Sequence, residues 1–346
     1  MTQIQHNQLV SFIWNIANDV LVNVYNKGDY RKVILPMIVL RRFDAVLEDT
    51  KKEVLAMKER LTAANIIQQD EALCAVAGQA FCNSSPFTLK DLKSRTNSQQ
   101  LKLDFIAYLD GFSANVQDII TKFKFRNEID TLVEGGVLGL LIEKFVDNRI
   151  NLSNRPVLFD DGSVRLPALD NHSIGTVFEE LLRRFNEENN VTEAGEHFTP
   201  RDIVTLMAEI AFVPIMDKIT DSSYLIYDGA CGTGGILSVS EERLQQLAEA
   251  RGKRINTHIF GQELQPETYA TCKSDLLIKG DGEEANNISF GSTISEDGKA
   301  GMKFDFCISN PPFGTPWKRD LENWGLKDKK DITDGRFLIA YDGNPA

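Results

Sequence analysis

Asn310-Pro311-Pro312-Phe313 concentrates more chemistry than any other four consecutive residues of this chain. It directly follows Phe304 to Ser309, a short apolar run with the character of a buried strand. The two prolines fix the backbone and remove two donors, so the turn presents carbonyl acceptors from a rigid frame. Asn310 adds a carboxamide acceptor, and Phe313 offers a flat face. Such a loop can grip a planar amine, its acceptors taking the amino hydrogens while the ring stacks on the rest. Adenine flipped from a duplex fits that description. A strand-ending Asn-Pro turn beside a core phenylalanine is the other reading, and the segments upstream decide between the two.

The decisive segment is a strand-like run, Tyr224-Leu225-Ile226-Tyr227, that ends in Asp228 and enters Gly229-Ala230-Cys231-Gly232-Thr233-Gly234-Gly235. Helical spacing resumes at Ile236, Leu237 and Val239, which makes a strand, glycine turn, helix unit. The spacing is not that of a dinucleotide loop. Gly232 and Gly234 let backbone come close to a bulky ligand without a pyrophosphate to cradle. Asp228 at the strand end can face a cationic amino acid group, as in S-adenosyl-L-methionine. A second strand, His258 to Glu263, places Glu263 where a carboxylate can accept from both ribose hydroxyls. Its distance along the chain from Asp228 exceeds the dinucleotide interval of about 20 residues. The alternatives are an exposed acid at Glu263 and, at Cys231, a small residue filling the turn rather than a nucleophile. Two further strands are predicted at Asn287 to Phe290 and Phe304 to Ser309. Donor loop and amine site then share the carboxyl edge of one parallel sheet, where open α/β folds bind ligands.

These strands need a frame. Gly195-Glu196-His197-Phe198-Thr199-Pro200-Arg201-Asp202 reads as a loop entering a helix, with Thr199 as N-cap, Pro200 at the first helical position and Asp202 at the third. Ile203, Met207 and Ile210 are expected to carry that helix inward. As a functional element the octet is a lid whose amides and hydroxyl approach a ligand. Upstream, the first 150 or so residues read as helical. Ile13, Ile16, Ala17, Val20 and Val24 fall on one stripe, Gly28-Asp29 breaks it, and a long helix is expected from about Tyr30 to Arg60. Arg41 and Arg42 on that helix read as a solvated face or as a phosphate or subunit contact. Residues 151–169 read as a linker or short hairpin, and Ile174 to Phe185 as an amphipathic helix.

Composition limits the partners. Lys and Arg number 38 against 50 Asp and Glu, a net charge of −12, which is acidic for a protein gripping DNA unaided. The five cysteines and four histidines show no metal-ligand spacing, so no metal is expected. No signal peptide or membrane-length apolar run is read, and a reduced cytoplasm is the natural setting.

Taken together, these motifs resemble the modification (M) subunit of type I restriction–modification systems, an adenine-specific DNA methyltransferase. The resemblance runs from the N-terminal helices through Gly195 to Arg201, Asp228 to Gly235, Gly261-Gln262-Glu263 and Asn310 to Phe313, in the family's order. It implies S-adenosyl-L-methionine contacts from Glu196, His197, Phe198, Thr199, Pro200 and Arg201, from Ala230, Cys231 and Gly232, and from Glu263. It implies a target adenine at Asn310, Pro311, Pro312 and Phe313. The implied partners are double-stranded DNA, a second M subunit, a specificity (S) subunit that reads the sequence and a restriction (R) subunit. The fold expected is α/β: an N-terminal helical domain over 1–150, a linker over 151–169, and a Rossmann-like methyltransferase domain over 170–346. Family members continue with further strands and helices, so the chain is expected to be a C-terminally truncated methyltransferase. Two departures stand out: Gly229 replaces the family's usual proline, and Ser292 stands where related enzymes often carry an acid. A protein-amide methyltransferase, and a fragment that binds a partner or cofactor without turnover, remain the alternative functions.

Overall fold

The computed structural model describes residues 3–188, 199–280, 282–312, 316, 318–328, 331–337, 340–341 and 344–345. It divides into two compact units, Met1–Ala194 with Ala270–Asn286, and Gly195–Tyr269 with Asn287–Ala346.

The first unit is built from helices: α1 (Gln3–Leu21), α2 (Arg31–Leu47), α3 (Lys51–Ala63), α4 (Asp70–Ala77), α5 (Leu89–Lys93), α6 (Ser98–Asp110), α7 (Ala114–Lys122), α8 (Phe125–Glu134), α9 (Leu138–Phe145) and α10 (Asn171–Glu188). The expected stripe on α1 is buried from Ile13 to Val20, as are Ile174, Val177, Phe178, Leu181 and Phe185 on α10, but the helix ends at Leu21 and leaves Val24 half-buried in the turn beyond it. Trp14 and Phe185 bring the two helices together with ring centroids 4.8 Å apart. The single helix expected from Tyr30 to Arg60 is two. Thr50 leaves helical geometry at φ −97° and ψ 1°, ending one helix and starting the next. Between α9 and α10 the chain forms an antiparallel hairpin, β1 (Val157–Leu158) and β2 (Val164–Leu166).

Arg41 and Arg42 correct both sequence readings, since neither is solvated or offered to a partner. Arg42 is 1% exposed and its Nη1 donates to Leu152 O at 2.7 Å and Leu169 O at 3.0 Å. Arg41 is buried too, donating through Nε to Phe145 O at 3.1 Å and lying 3.8 Å from Asp44. A buried guanidinium must be paired or hydrogen-bonded, and here the two satisfy the carbonyl of Phe145 at the end of α9 and those of Leu152 and Leu169 in irregular chain. Burial lowers the Arg42 pKa to about 10, so it still carries its charge at neutral pH.

The second unit opens with α11 (Arg201–Phe212), β3 (Ser223–Asp228), α12 (Gly235–Glu249) and β4 (Asn256–Glu263). It continues through the start of α13 (Pro266–Lys279), then β5 (Ile288–Phe290), β6 (Phe306–Cys307) and α15 (Lys318–Asn323), and reaches a short antiparallel pair, β7 (Ala340–Tyr341) and β8 (Asn344–Pro345). The later turns of α13 and the whole of α14 (Gly282–Asn286) belong to the first unit. Strands β3 to β6 make one parallel sheet in the order β5-β4-β3-β6. The fourth strand is shorter than expected, but Asp305 N and Ile308 N extend its ladder to Leu225 O and Tyr227 O, both at 3.0 Å. Helix α11 turns the other way from the sequence reading. Val204, Ala208 and Phe212 are buried, whereas Ile203 is 46% and Ile210 67% exposed. Phe212 fixes this register by meeting Phe306 of β6 edge-on, with centroids 4.8 Å apart.

Among the described residues no helix is long and apolar enough to cross a membrane, and no cluster of His, Cys, Asp or Glu is arranged to hold a metal ion.

Candidate active site

Parallel pairing puts the carboxyl ends of β3, β4 and β6 side by side, so Asp228, Glu263 and the Ser309-Asn310 turn converge although they are far apart in sequence. The sharp turn after β3 is made by Gly232 at φ +56° and Gly234 at φ +87°, conformations that suit glycine. No other atom lies near where a Cβ at Gly232 would point, which leaves its backbone open to a ligand. The loop is pinned to the next strand by Cys231 N donating to Gln262 O at 3.0 Å and Gly234 N to Cys231 O at 2.8 Å. Cys231 is buried against this turn, as its filler reading expects.

Glu263 is already engaged by its own chain. Its Oε2 accepts from Gly232 N at 3.0 Å and its Oε1 from Gln265 N at 2.6 Å. Each ionised oxygen can accept a second bond, so ribose hydroxyls would join these amides rather than meet a bare carboxylate. Asp228 is fully buried, and its Oδ1 accepts from Ala230 N at 3.0 Å and from the Ser309 hydroxyl at 2.6 Å. Its Oδ2 is buried with no hydrogen-bond partner among the described residues. Burial pushes the Asp228 carboxyl up to about 6; the Ser309 and Ala230 bonds oppose that rise and the Glu263 charge adds to it. An orphaned buried oxygen and two carboxylates beside an open glycine turn suit the cationic, hydroxyl-rich S-adenosyl-L-methionine.

The Asn310 carboxamide is held from the side by Thr199, whose Oγ1 accepts from Asn310 Nδ2 at 3.0 Å. Thr199 therefore does not act as the N-cap. That position falls to Pro200, at φ −55° and ψ 140°, and Asp202 Oδ1 accepts from Ile203 N at 3.0 Å. Arg201 faces α12, pairing with Glu242 at 3.1 Å. Pro311 and Pro312 are exposed next to Asn310. Glu196, His197, Phe198 and Phe313 lie outside the described residues.

Three residues to which the sequence reading assigned no role complete the site, Gln262 among them although it lies within the Gly261-Gln262-Glu263 motif. Ser309 is bonded to Asp228 as above. Gln262 is fully buried, with Nε2 donating to Glu296 O at 2.8 Å and Oε1 accepting from Gly298 N at 3.1 Å, so it orders the chain after β5. Thr293 donates its hydroxyl to Gly229 O. A Cβ at Gly229 would lie 3.1 Å from Thr293 Cγ2 and 3.2 Å from the Tyr227 hydroxyl, which is a steric reason for glycine at this position. Ser292 is buried, and its Oγ accepts from Ile294 N at 3.2 Å.

Gly261 is the tightest point beneath the loop. A Cβ there would lie 2.9 Å from Cys231 Sγ and 3.0 Å from Ile288 Cδ1 and Leu237 Cδ1. Gly261→Ala is expected to destabilise the fold by about 1–3 kcal/mol through overpacking. Thermal melting of the variant beside the parent chain measures the loss.

Comparison with known proteins agrees with this geometry. The N-6 DNA Methylase family profile matches residues 169–342, and the HsdM N-terminal domain profile matches residues 9–145. The type I restriction enzyme MjaIX methylase subunit of Methanocaldococcus jannaschii is 23% identical over 87% of this chain and 50% of its own length. The type I restriction enzyme MpnII methylase subunit of Mycoplasma pneumoniae is 23% identical over 97% of this chain and 62% of its own. The chain thus spans about half to three-fifths of the length of these relatives. The crystal structure of a type I restriction-modification system methyltransferase subunit from Streptococcus thermophilus superposes with a TM-score of 0.59 at 19% identity, covering 90% of this chain and 64% of that one. That likeness establishes the shared fold, helical domain and methyltransferase-type sheet together. With the first profile spanning just over half of its residues, the chain belongs to the N-6 DNA Methylase family.

Proposed function

We propose that this chain is the methyltransferase subunit of a type I restriction–modification system, transferring a methyl group from S-adenosyl-L-methionine to N6 of a flipped adenine in double-stranded DNA. The observation that carries the reading is the shared sheet edge. There the glycine turn with Asp228 and Glu263 lies beside the Asn310-Pro311-Pro312 turn, joined to it by the Ser309–Asp228 hydrogen bond.

S-adenosyl-L-methionine, when bound, supplies an activated methyl group. Asp228 and Glu263 would hold its amino group and ribose, Ala230, Cys231, Gly232 and Gly234 would line it with backbone, and the 196–201 segment would close over it. Asn310 Oδ1 and the Pro311 carbonyl accept the two amino hydrogens of the adenine. An aromatic amine is a weak nucleophile because its lone pair is delocalised, and these acceptors localise it while stabilising the positive charge that develops on nitrogen. Stacking on Phe313 offsets part of the few kcal/mol that base extrusion costs.

The net charge of −12 supports a separate DNA reader. The resemblance to type I M subunits implies what that reader and its companions would be: a specificity subunit, a second M subunit and a restriction subunit for cleavage. A cytoplasmic setting follows from DNA as substrate. Nucleoside mass spectrometry of DNA from cells expressing the chain with a cognate specificity subunit tests the reading. N6-methyladenine above an Asn310→Ala control supports it, and its absence in a chain that binds no cofactor overturns it.

Cofactor affinity should depend on pH in a definite direction. A cationic ligand group favours ionised Asp228, so binding lowers a pKa that stands near 6 in the free protein. Affinity is therefore expected to rise as pH increases from 5 through about 7 and then level off. Titration calorimetry across that range checks it, with Asp228→Asn expected to bind weakly and with a flattened profile.

A further inference from the structure

Asp228 Oδ1 has two donors from different parts of the chain, the Ala230 amide of the glycine turn and the hydroxyl of Ser309, the residue directly before Asn310. One buried oxygen thus fixes both the start of the cofactor turn and the start of the base-binding turn. The 2.6 Å Ser309 bond is in the range of charge-assisted hydroxyl–carboxylate bonds, which are among the stronger side-chain hydrogen bonds. The direction is unambiguous while the acid is ionised, because a carboxylate only accepts. The other oxygen of the same group, Oδ2, is buried and without a hydrogen-bond partner among the described residues.

We infer that Ser309 is a positioning residue that couples the cofactor turn to Asn310 through the Asp228 carboxylate. The inference rests on the methyltransferase reading above and adds a reciprocal link between its two sites. A ligand cation drawn to Asp228 favours the ionised form, which is the form that holds the Ser309 hydroxyl. The grip on Ser309 in turn sets where Asn310 begins. By linkage, whatever strengthens one interaction strengthens the other by the same factor. Among the described residues the groups that act on Asp228 are the Ser309 hydroxyl, the Ala230 amide, the nearby charge of Glu263 at the end of β4 and the Tyr227 hydroxyl, whose own pKa is raised. Of these only the first two favour the ionised acid, so loss of the hydroxyl must make it harder to ionise.

Ser309 is exposed, so its substitution leaves the core alone. The test uses the full chain and S-adenosyl-L-methionine, with calorimetric Kd values measured between pH 5 and 8 for the parent, Ser309→Ala and Ser309→Thr. The parent binding curve comes first: if no cofactor binds, the methyltransferase reading fails and this link fails with it. If it binds, Ser309→Ala is expected to move the pH midpoint of binding upward by about half a unit to one unit, the size of one hydrogen-bond contribution. Ser309→Thr, which keeps the hydroxyl, should restore the parent midpoint. In the methylase assembled with its specificity subunit, Ser309→Ala should lower kcat about tenfold while leaving the KM for DNA within about twofold, the mark of an interaction that matters for the reacting geometry. A midpoint that does not move in Ser309→Ala, or threonine that fails to restore it, overturns the coupling while leaving the methyltransferase reading intact.

Discussion

Asn310→Ala is expected to reduce methyl transfer by a factor of about 10²–10³ or more, the scale seen when one preorganised polar group is removed from a reacting centre. Cofactor binding should change little, because the side chain bonds to Thr199 and takes no part in the contacts of Asp228, Gly232 or Glu263. The asymmetry follows from chemistry: alanine keeps the backbone of the turn and the Pro311 carbonyl but loses the acceptor for one amino hydrogen. The lone pair of the target then stays delocalised, and a methyl donor bound alongside meets a poor nucleophile. Asn310→Asp keeps an acceptor but removes the Nδ2 donor to Thr199, so it should lie between alanine and the parent. Single-turnover methylation with the assembled complex, beside calorimetry with S-adenosyl-L-methionine, separates the two effects. Equal loss of binding and transfer would show that Asn310 serves the fold of the site and not the acceptor role.

The largest expected stability effect lies far from this chemistry along the chain, at Arg42. Arg42→Ala leaves the buried carbonyls of Leu152 and Leu169 without their donor and opens a void where a 1% exposed guanidinium had been. Each buried acceptor left unsatisfied costs about 1–3 kcal/mol and the void adds to that, so a loss of about 3–5 kcal/mol is expected. Arg42→Lys should recover only part of it, since an ammonium is a more strongly hydrated charge than the guanidinium whose Nη1 reaches both carbonyls, and costs more to bury. Denaturant unfolding of the three proteins, with far-ultraviolet circular dichroism as readout, gives the ordering. Alanine within about 1 kcal/mol of the parent would mean that water replaces the guanidinium at no great cost.

The parts of the molecule legible in its sequence are those whose signal is local. Tyr224 to Asp228 and His258 to Glu263 read as strands because short apolar runs end at a glycine turn or an acid, and both form as β3 and β4. The parallel sheet followed from the helices between them. Helix α11 was misread because it carries two apolar stripes: Ile203, Met207 and Ile210 have helical spacing, and so do Val204, Ala208 and Phe212. Periodicity cannot choose between them; the contact of Phe212 with Phe306, a residue of β6, does. Thr199 suited an N-cap by type, yet its hydroxyl is taken by Asn310, which lies 111 residues further along the chain. Ser309 was hidden for the same reason, as a small polar residue at the end of an apolar strand has no pattern of its own. Arg42 was misread because burial of a charge depends on which carbonyls the fold leaves unpaired, and that is a property of the hairpin segment and not of helix α2.

The hairpin of β1 and β2 has an unusual neck. Arg42 holds Leu152 and Leu169, Leu169 N donates to Ser153 O at 2.9 Å, and Asn151 Nδ2 donates to Arg155 O at 2.7 Å and Pro167 O at 2.9 Å. Both strands are therefore anchored at the base, while the tip at Asp160, Asp161 and Gly162 is exposed. Added length at the tip does not touch the neck, and each doubling of a closed flexible loop costs only about 0.6 kcal/mol. For protein engineering this makes the Asp161-Gly162 peptide bond a natural port, where an epitope or a fluorescent reporter can be spliced into the chain without disturbing the helices that carry it.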